Sequence, residues 1–142
     1  MLYTNDRSQL RRFYFTAWRK YRDRLPLEPM ERLVAEAIAQ HPEYHRLFES
    51  EDTAIDRDYL PEAGETNPFL HLGLHIGLRE QTTADRPAGI GAIFRQLAAT
   101  TGDGHEAEHR MMECLAEMIW QAQRDGTPPD EAAYLERLRR LL

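Results

Sequence analysis

Hydrophobic side chains recur every three or four positions along most of the chain, which is the spacing of one face of an α-helix. The first such stripe predicts a helix over about residues 6–23, and its members are Leu10, Phe13, Tyr14, Ala17, Trp18 and Tyr21. A second stripe begins after Pro29, a residue suited to the first helical position, and predicts a helix over about 29–41. No segment shows the convincing alternation of a half-buried strand. The pattern therefore predicts an all-α protein.

Cap and breaker residues divide the second half of the chain into four further helices. They are expected from Asn67-Pro68 to about 82, from Asp85-Arg86-Pro87 to about 100, from Asp103 to about 125, and onward from Thr127-Pro128. Gly102 and Gly126 suit the ends of the second and third of these. The length fits one hydrophobic core. We therefore expect a compact bundle of about six helices that forms a single domain over residues 1–142.

One long segment, residues 49–66, lacks a helical stripe and reads as an acidic loop. Seven acidic side chains face a single Arg57 there, and Pro61 and Gly64 interrupt the segment. Loops of this length inside a compact domain are uncommon and are often functional or mobile. The bundle is therefore expected to carry one long acidic loop.

Charge is unevenly distributed along the chain, whose net charge is −6. Residues 1–24 hold seven basic and two acidic residues, a net charge of +5, which leaves −11 for the remainder. A basic head on an acidic body could serve RNA, a membrane surface or an acidic partner. The basic segment could equally bind the acidic remainder of the same chain.

Cysteine content and hydropathy bear on the cellular compartment. The single cysteine excludes an intrachain disulfide and fits a reducing compartment. No apolar run approaches the roughly 20 residues that a membrane-spanning helix needs. The first residues also lack the apolar stretch of a signal peptide. We therefore expect a cytoplasmic protein without a membrane span.

The six histidines supply the strongest chemical pattern, because all of them stand in pairs four residues apart. The pairs are His41 with His45, His71 with His75, and His105 with His109. Residues four apart on a helix lie on the same face. Two neutral imidazoles one turn apart are a common half-set of ligands for a transition metal. The pattern therefore predicts a metal site, with zinc or iron as the candidate ion.

Two of the pairs are predicted to share that site. His71 and His75 lie near the start of the third predicted helix, and His105 and His109 lie near the start of the fifth. These two helices run parallel in an up-and-down bundle, so both pairs are expected at the same end. His41 and His45 could reach that end as well, although Pro42 interrupts a regular helix between them.

Glu108 is the candidate carboxylate of the site. It falls within the apolar face of the fifth predicted helix, where an unpaired carboxylate is costly. We therefore expect it to have a partner, which could be a metal, a histidine, an arginine such as Arg79 or Arg86, or backbone donors. The predicted ligand set is His71, His75, His105, His109 and Glu108.

Several sequence blocks resemble a known family. They are Asn67-Pro68-Phe69-Leu70-His71 continuing to Glu80-Gln81, Asp85-Arg86-Pro87, the run from Glu108 to Leu115, and Gln123-Arg124. Together they resemble a proteobacterial family known as domain of unknown function 1841, over nearly the whole chain. The resemblance implies a small intracellular bacterial protein. It supplies no catalytic residues.

Two classes of function follow from these features. If the metal site is catalytic, an open coordination position would activate water or bind oxygen, and the sequence does not distinguish these. The alternative is a non-enzymatic interaction module whose basic, aromatic first helix engages a protein or RNA. The aromatic side chains of that helix mostly face one way and its arginines the other. This ordinary amphipathic pattern argues against nucleic acid and leaves a homodimer or a protein partner open.

Overall fold

Helices form all the regular structure in the computed structural model, which describes residues 6–60 and 66–142 and shows no strand among them. The α-helices of this part are α1 (Arg7–Arg22), α2 (Pro29–Ala39), α3 (Glu51–Ala54), α4 (Pro68–Ala84), α5 (Ile90–Thr101), α6 (Gly104–Asp125) and α7 (Glu131–Arg139). Two 3₁₀ turns, Pro42–Tyr44 and Leu47–Glu49, lie between α2 and α3. The predicted all-α bundle is confirmed. Within the described part, every helix is too short or too polar to cross a bilayer.

The chain divides into two compact units, Met1–Ile76 and Gly77–Leu142, with the boundary inside α4. In the first unit α1 packs against α2, and aromatic rings fill much of the core. The ring centroid of Phe15 lies 5.1 Å from that of Phe48 and 6.3 Å from that of Phe69. Phe15 and Trp18 are both buried, so they do not form an exposed platform for stacking bases. This burial favours the amphipathic interpretation of α1.

The predicted loop over 49–66 is wrong in part, because its first residues are helical. Leu47–Glu49 forms a 3₁₀ turn and Glu51–Ala54 forms α3. Acidic side chains are stabilised in the first turn of a helix, and α3 begins with two of them. Burial of Ala54 and Ile55 then fixes this turn against the core. Residues 61–65 of the predicted loop lie outside the described residues.

Two arginines of α1 bind the segment that follows α3. Arg11 is buried, and its Nη1 donates to the carbonyl oxygens of Ala54, Ile55 and Arg57 at 3.4, 3.2 and 2.7 Å. Burial lowers the pKa of Arg11, and its guanidinium stacks on the Phe69 ring with 4.6 Å to the centroid. Arg7 forms an ion pair with Asp58. Arg7 and Arg11 of the basic N-terminal segment therefore make intramolecular contacts within the first unit.

The second unit contains the end of α4 together with α5, α6 and α7. Both α5 and α7 pack against α6, around buried apolar side chains: Leu78, Ile90, Ile93, Leu97, Met111, Leu115 and Leu138. Asp103 caps α6 as predicted, because its side chain accepts a hydrogen bond from the backbone N–H of His105 at 3.0 Å. The end of α4 contacts α6 through Arg79 and Glu108.

Two helices of the second unit begin later than the sequence predicts. The predicted start at Asp85-Arg86-Pro87 is wrong because the Asp85 carboxylate holds the chain in a turn, accepting from the backbone N–H groups of Gly89 and Gly91 at 3.1 and 3.0 Å. Gly89 has a φ of 101°, a left-handed conformation that suits glycine. The predicted start at Thr127-Pro128 is also wrong. Asp130 caps α7, and its side chain accepts from the Ala133 N–H at 3.1 Å.

Tyr134→Phe is expected to destabilise the protein by about 1 kcal/mol, because it removes a hydrogen bond and leaves a half-buried acceptor without this donor. Tyr134 is fully buried, and its hydroxyl donates to Oε1 of Gln81 at 2.7 Å. Urea denaturation should show a lower midpoint at an unchanged slope. The matched control is Tyr21→Phe, since the Tyr21 side chain is 40 % exposed and should change stability by less than about 0.5 kcal/mol. Equal midpoints for the two variants would contradict the assigned hydrogen bond.

Candidate metal centre

His41 lies two residues after the end of α2, where it precedes the first 3₁₀ turn as its N-terminal cap residue. Its Nδ1 is 2.8 Å from the carbonyl oxygen of Ala37. A carbonyl oxygen only accepts, so Nδ1 carries the proton and Nε2 carries a lone pair. A backbone carbonyl that orients one ring nitrogen is a common outer partner of a metal-binding histidine. In the neutral imidazole of His41, Nε2 therefore carries the lone pair that a metal ion could bind.

His71 and His75 lie on one face of α4, one turn apart. Their ring centroids are 4.9 Å from each other, and they lie 4.9 and 4.7 Å from that of His41. His41 and His75 are buried, and His71 is half-buried. The three imidazoles thus form one cluster within the first unit, which we call the histidine trio.

Two ring nitrogens of the trio have the spacing of ligands on one ion. Nε2 of His41 lies 3.2 Å from Nε2 of His71. Two nitrogens that each bind a tetrahedral metal at 2.0–2.1 Å are separated by about 3.3 Å. The same distance fits a hydrogen bond between one protonated and one unprotonated nitrogen. The arrangement therefore suits either an imidazole hydrogen bond or a bound metal ion with little change in ring positions.

Tyr44 covers one side of the trio. Its ring stacks on His41 with 5.4 Å between centroids and 12° between planes, and it meets His71 edge-on at 6.0 Å. Burial raises the pKa of Tyr44, so its hydroxyl stays protonated at neutral pH. The ring therefore presents a neutral, largely apolar surface to the imidazoles, and such a surface limits solvent access to a metal site.

His45 is separated from the trio although it forms a sequence pair with His41. Its Nε2 donates to the carbonyl oxygen of Ile38 at 2.9 Å, and its ring packs on Trp18 with 4.7 Å between centroids. The chain between the two histidines follows a 3₁₀ turn that starts at Pro42, so the pair does not share a helical face.

The second unit contains the remaining pair, at the start of α6. The rings of His105 and His109 are in edge-to-face contact, with 4.4 Å between centroids. Nδ1 of His109 lies 3.8 Å from the carboxylate of Glu106, which also accepts from Arg110 at 3.5 Å. The four-residue spacing places both imidazoles on one face of α6, as predicted.

Glu108 has the buried partner that the sequence required, and the partner is an arginine. Its carboxylate oxygens lie 3.2 and 3.3 Å from Nε and Nη2 of Arg79. The two side chains are 7 % and 14 % exposed. This paired, fork-like contact satisfies a carboxylate that would otherwise be expensive to bury.

Within each unit, the predicted site residues make defined contacts. His71 and His75 join His41, His105 contacts His109, and Glu108 contacts Arg79. Sequence reasoning left His41 outside the ligand set because Pro42 breaks its helix. Its four-residue spacing from His45 was the available indication, and it does not show which of the two histidines contacts the α4 pair. A ligand set shared by the two helical pairs stays a prediction.

Comparison with known proteins identifies one family. The family model described as Domain of unknown function (DUF1841) matches residues 6–140. The searches of curated proteins and of solved structures gave no significant match.

Proposed function

The chain belongs to the DUF1841 family, and we propose that it is a helical protein that binds a transition-metal ion through its histidines. The family description carries no activity, so the proposal depends on the chemistry of the side chains. The observation that carries it is the histidine trio, in which two ring nitrogens lie 3.2 Å apart and His41 is oriented by a backbone carbonyl. Neutral imidazole is the commonest side-chain ligand for metals of this class.

A second observation supports the proposal. His41 and His75 are both buried, with 4.7 Å between their ring centroids, so a bound ion would be shielded from solvent. We propose that the ligands come from the trio. This retains His71 and His75 of the predicted ligand set and adds His41.

The donor chemistry restricts the metal. Imidazole nitrogen suits zinc and iron, and calcium or magnesium would require oxygen ligands. Burial raises the pKa of the Cys114 thiol, which disfavours the thiolate in the metal-free protein. We propose zinc or iron. We assign Glu108 to Arg79 rather than to the metal, because that contact occupies both carboxylate oxygens.

The proposed centre suits two kinds of chemistry. If His41, His71 and His75 hold the ion and one coordination position stays open, the site would supply activation of water for hydrolysis or binding of oxygen. If all positions are filled by protein ligands, the metal is structural and contributes to folding stability. The number of histidines that bind decides between these roles.

The direct test is a metal titration of protein stripped with a chelator. Zinc, or ferrous iron without air, should raise the free energy of unfolding by about 2.7 kcal/mol at a free metal concentration of 100 times Kd. Cobalt(II) should give visible absorption typical of nitrogen ligands at low coordination number. Magnesium serves as the control ion and should do neither. Unchanged melting with zinc and iron, together with featureless cobalt spectra, would overturn the proposal.

A further inference from the structure

A cavity of about 330 Å³ lies in the first unit, beside α1 and the residues that lead into α3. It is lined by Phe15, Trp18, Arg19, Arg22, Asp23, Phe48, Glu49 and Glu51. No member of the histidine trio lines it, so it is separate from the proposed metal centre. Its volume falls at the lower end of the roughly 300–1,000 Å³ range of small-molecule sites.

The floor of the cavity is aromatic. Phe15, Trp18 and Phe48 are each less than a tenth exposed, and the rings of Phe15 and Phe48 pack 5.1 Å apart. These side chains are held by the core of the unit, so their exposed edges form a rigid apolar surface. Such a surface favours an apolar or aromatic group of a ligand.

The rim of the cavity carries both signs of charge. Arg19 and Arg22 belong to α1, Glu49 is the last residue of the second 3₁₀ turn, and Glu51 is the first residue of α3. Arg22 and Glu49 are 3.7 Å apart and more than half exposed, so their ion pair is weak. Neither Arg19 nor Glu51 forms an ion pair within residues 6–60 and 66–142, which leaves one cation and one anion available at the rim.

We propose that this cavity binds a small zwitterion of the α-amino acid class with an apolar side chain. Arg19, assisted by Arg22, would receive the carboxylate, since guanidinium binds carboxylate through paired hydrogen bonds. Glu51 and Glu49 would receive the ammonium group. The aromatic floor would receive the side chain. A simple anion would be repelled by three carboxylates at the rim, and a simple cation would be repelled by two guanidinium groups.

The chain offers a fluorescent reporter for this site. Trp18 and Trp120 are its only tryptophans, and Trp120 lies in the second unit, 53 % exposed and stacked on Arg124 at 4.6 Å. In the full chain with Trp120→Phe, all tryptophan emission reports on the cavity floor. L-phenylalanine should change this emission saturably. N-acetyl-L-phenylalanine lacks the ammonium group and L-phenylalaninamide lacks the carboxylate, so each should bind at least about tenfold more weakly.

Arg19→Gln tests the assignment of the carboxylate site. It should weaken L-phenylalanine at least about tenfold, while Arg12→Gln, an exposed residue of α1 outside the cavity, should bind like the parent. Circular dichroism would verify that both variants keep the helical fold. The proposal is overturned if L-phenylalanine gives no saturable change, if either blocked form binds as tightly, or if the two arginine variants lose binding equally. Chelator-stripped protein should bind as tightly as metal-loaded protein, which separates this site from the metal centre.

Discussion

Glu108→Gln is expected to lower the free energy of unfolding by about 3 kcal/mol, because it removes the charge of a buried carboxylate that pairs with a largely buried Arg79 cation. The two side chains are only 7 % and 14 % exposed, so solvent screens the contact little. For a chain of this length the loss corresponds to a melting temperature roughly 10 °C lower. Thermal and urea unfolding measure it. Metal content should be unchanged, since the carboxylate is assigned to the arginine.

Two variants control this experiment. Glu113→Gln removes a carboxylate from an exposed position of the same helix and should change stability by less than about 0.5 kcal/mol. Arg79→Met combined with Glu108→Leu removes both charges and should recover most of the loss, since an apolar pair of similar volume often replaces a buried ion pair without cost. If Glu108→Gln melts like Glu113→Gln, or if it loses metal at unchanged stability, the assignment of Glu108 is wrong.

His41→Gln is expected to weaken zinc binding at least about hundredfold, whereas His45→Gln should leave it unchanged. Loss of an outer hydrogen-bond partner alone costs 10–100-fold in metal affinity, and loss of a ligand costs more. The two residues belong to one sequence pair, but only His41 contacts His71 and His75. His45 instead donates to the Ile38 carbonyl. Competition with a coloured chelator measures both affinities.

Comparing His41→Gln with His45→Gln distinguishes binding at the trio from nonspecific binding of zinc to surface histidines. His45→Gln can still donate a hydrogen bond through its amide, so its fold should be retained. Equal affinities for His41→Gln and wild-type protein would remove His41 from the site. Equal losses in the two variants would mean that the trio is not the binding unit.

The helices could be predicted where a hydrophobic stripe was long and a cap was adjacent. Asp103 and Gly102 mark the start of α6 and the end of α5 through local hydrogen bonds and a left-handed glycine, and both are visible in the sequence. The start of α5 was missed because the Asp85 side chain reaches forward four and six residues to two glycine N–H groups. A cap-and-proline pattern does not distinguish such a turn from a helix start.

The candidate site was predicted less completely, for reasons of distance along the chain. The burial of Glu108 on an apolar helix face predicts that it needs a partner, and Arg79 is one of the predicted candidates. The two residues are 29 positions apart in the sequence and form an ion pair. The contact of His41 with His71 joins residues 30 positions apart across a turn. Four-residue spacing reports only which side chains share a helix face. It therefore found the pairs of α4 and α6 and could not select His41 over His45.

Metal analysis of the purified protein tests the central proposal most directly. The protein should be prepared without chelators and with any histidine tag removed, since a tag binds metals itself. Mass-spectrometric elemental analysis should find close to one zinc or iron ion per chain in wild-type protein. It should find a large loss in His41→Gln and normal content in His45→Gln. Wild-type protein that carries neither metal, and takes up neither when supplied, would contradict the proposed metal centre.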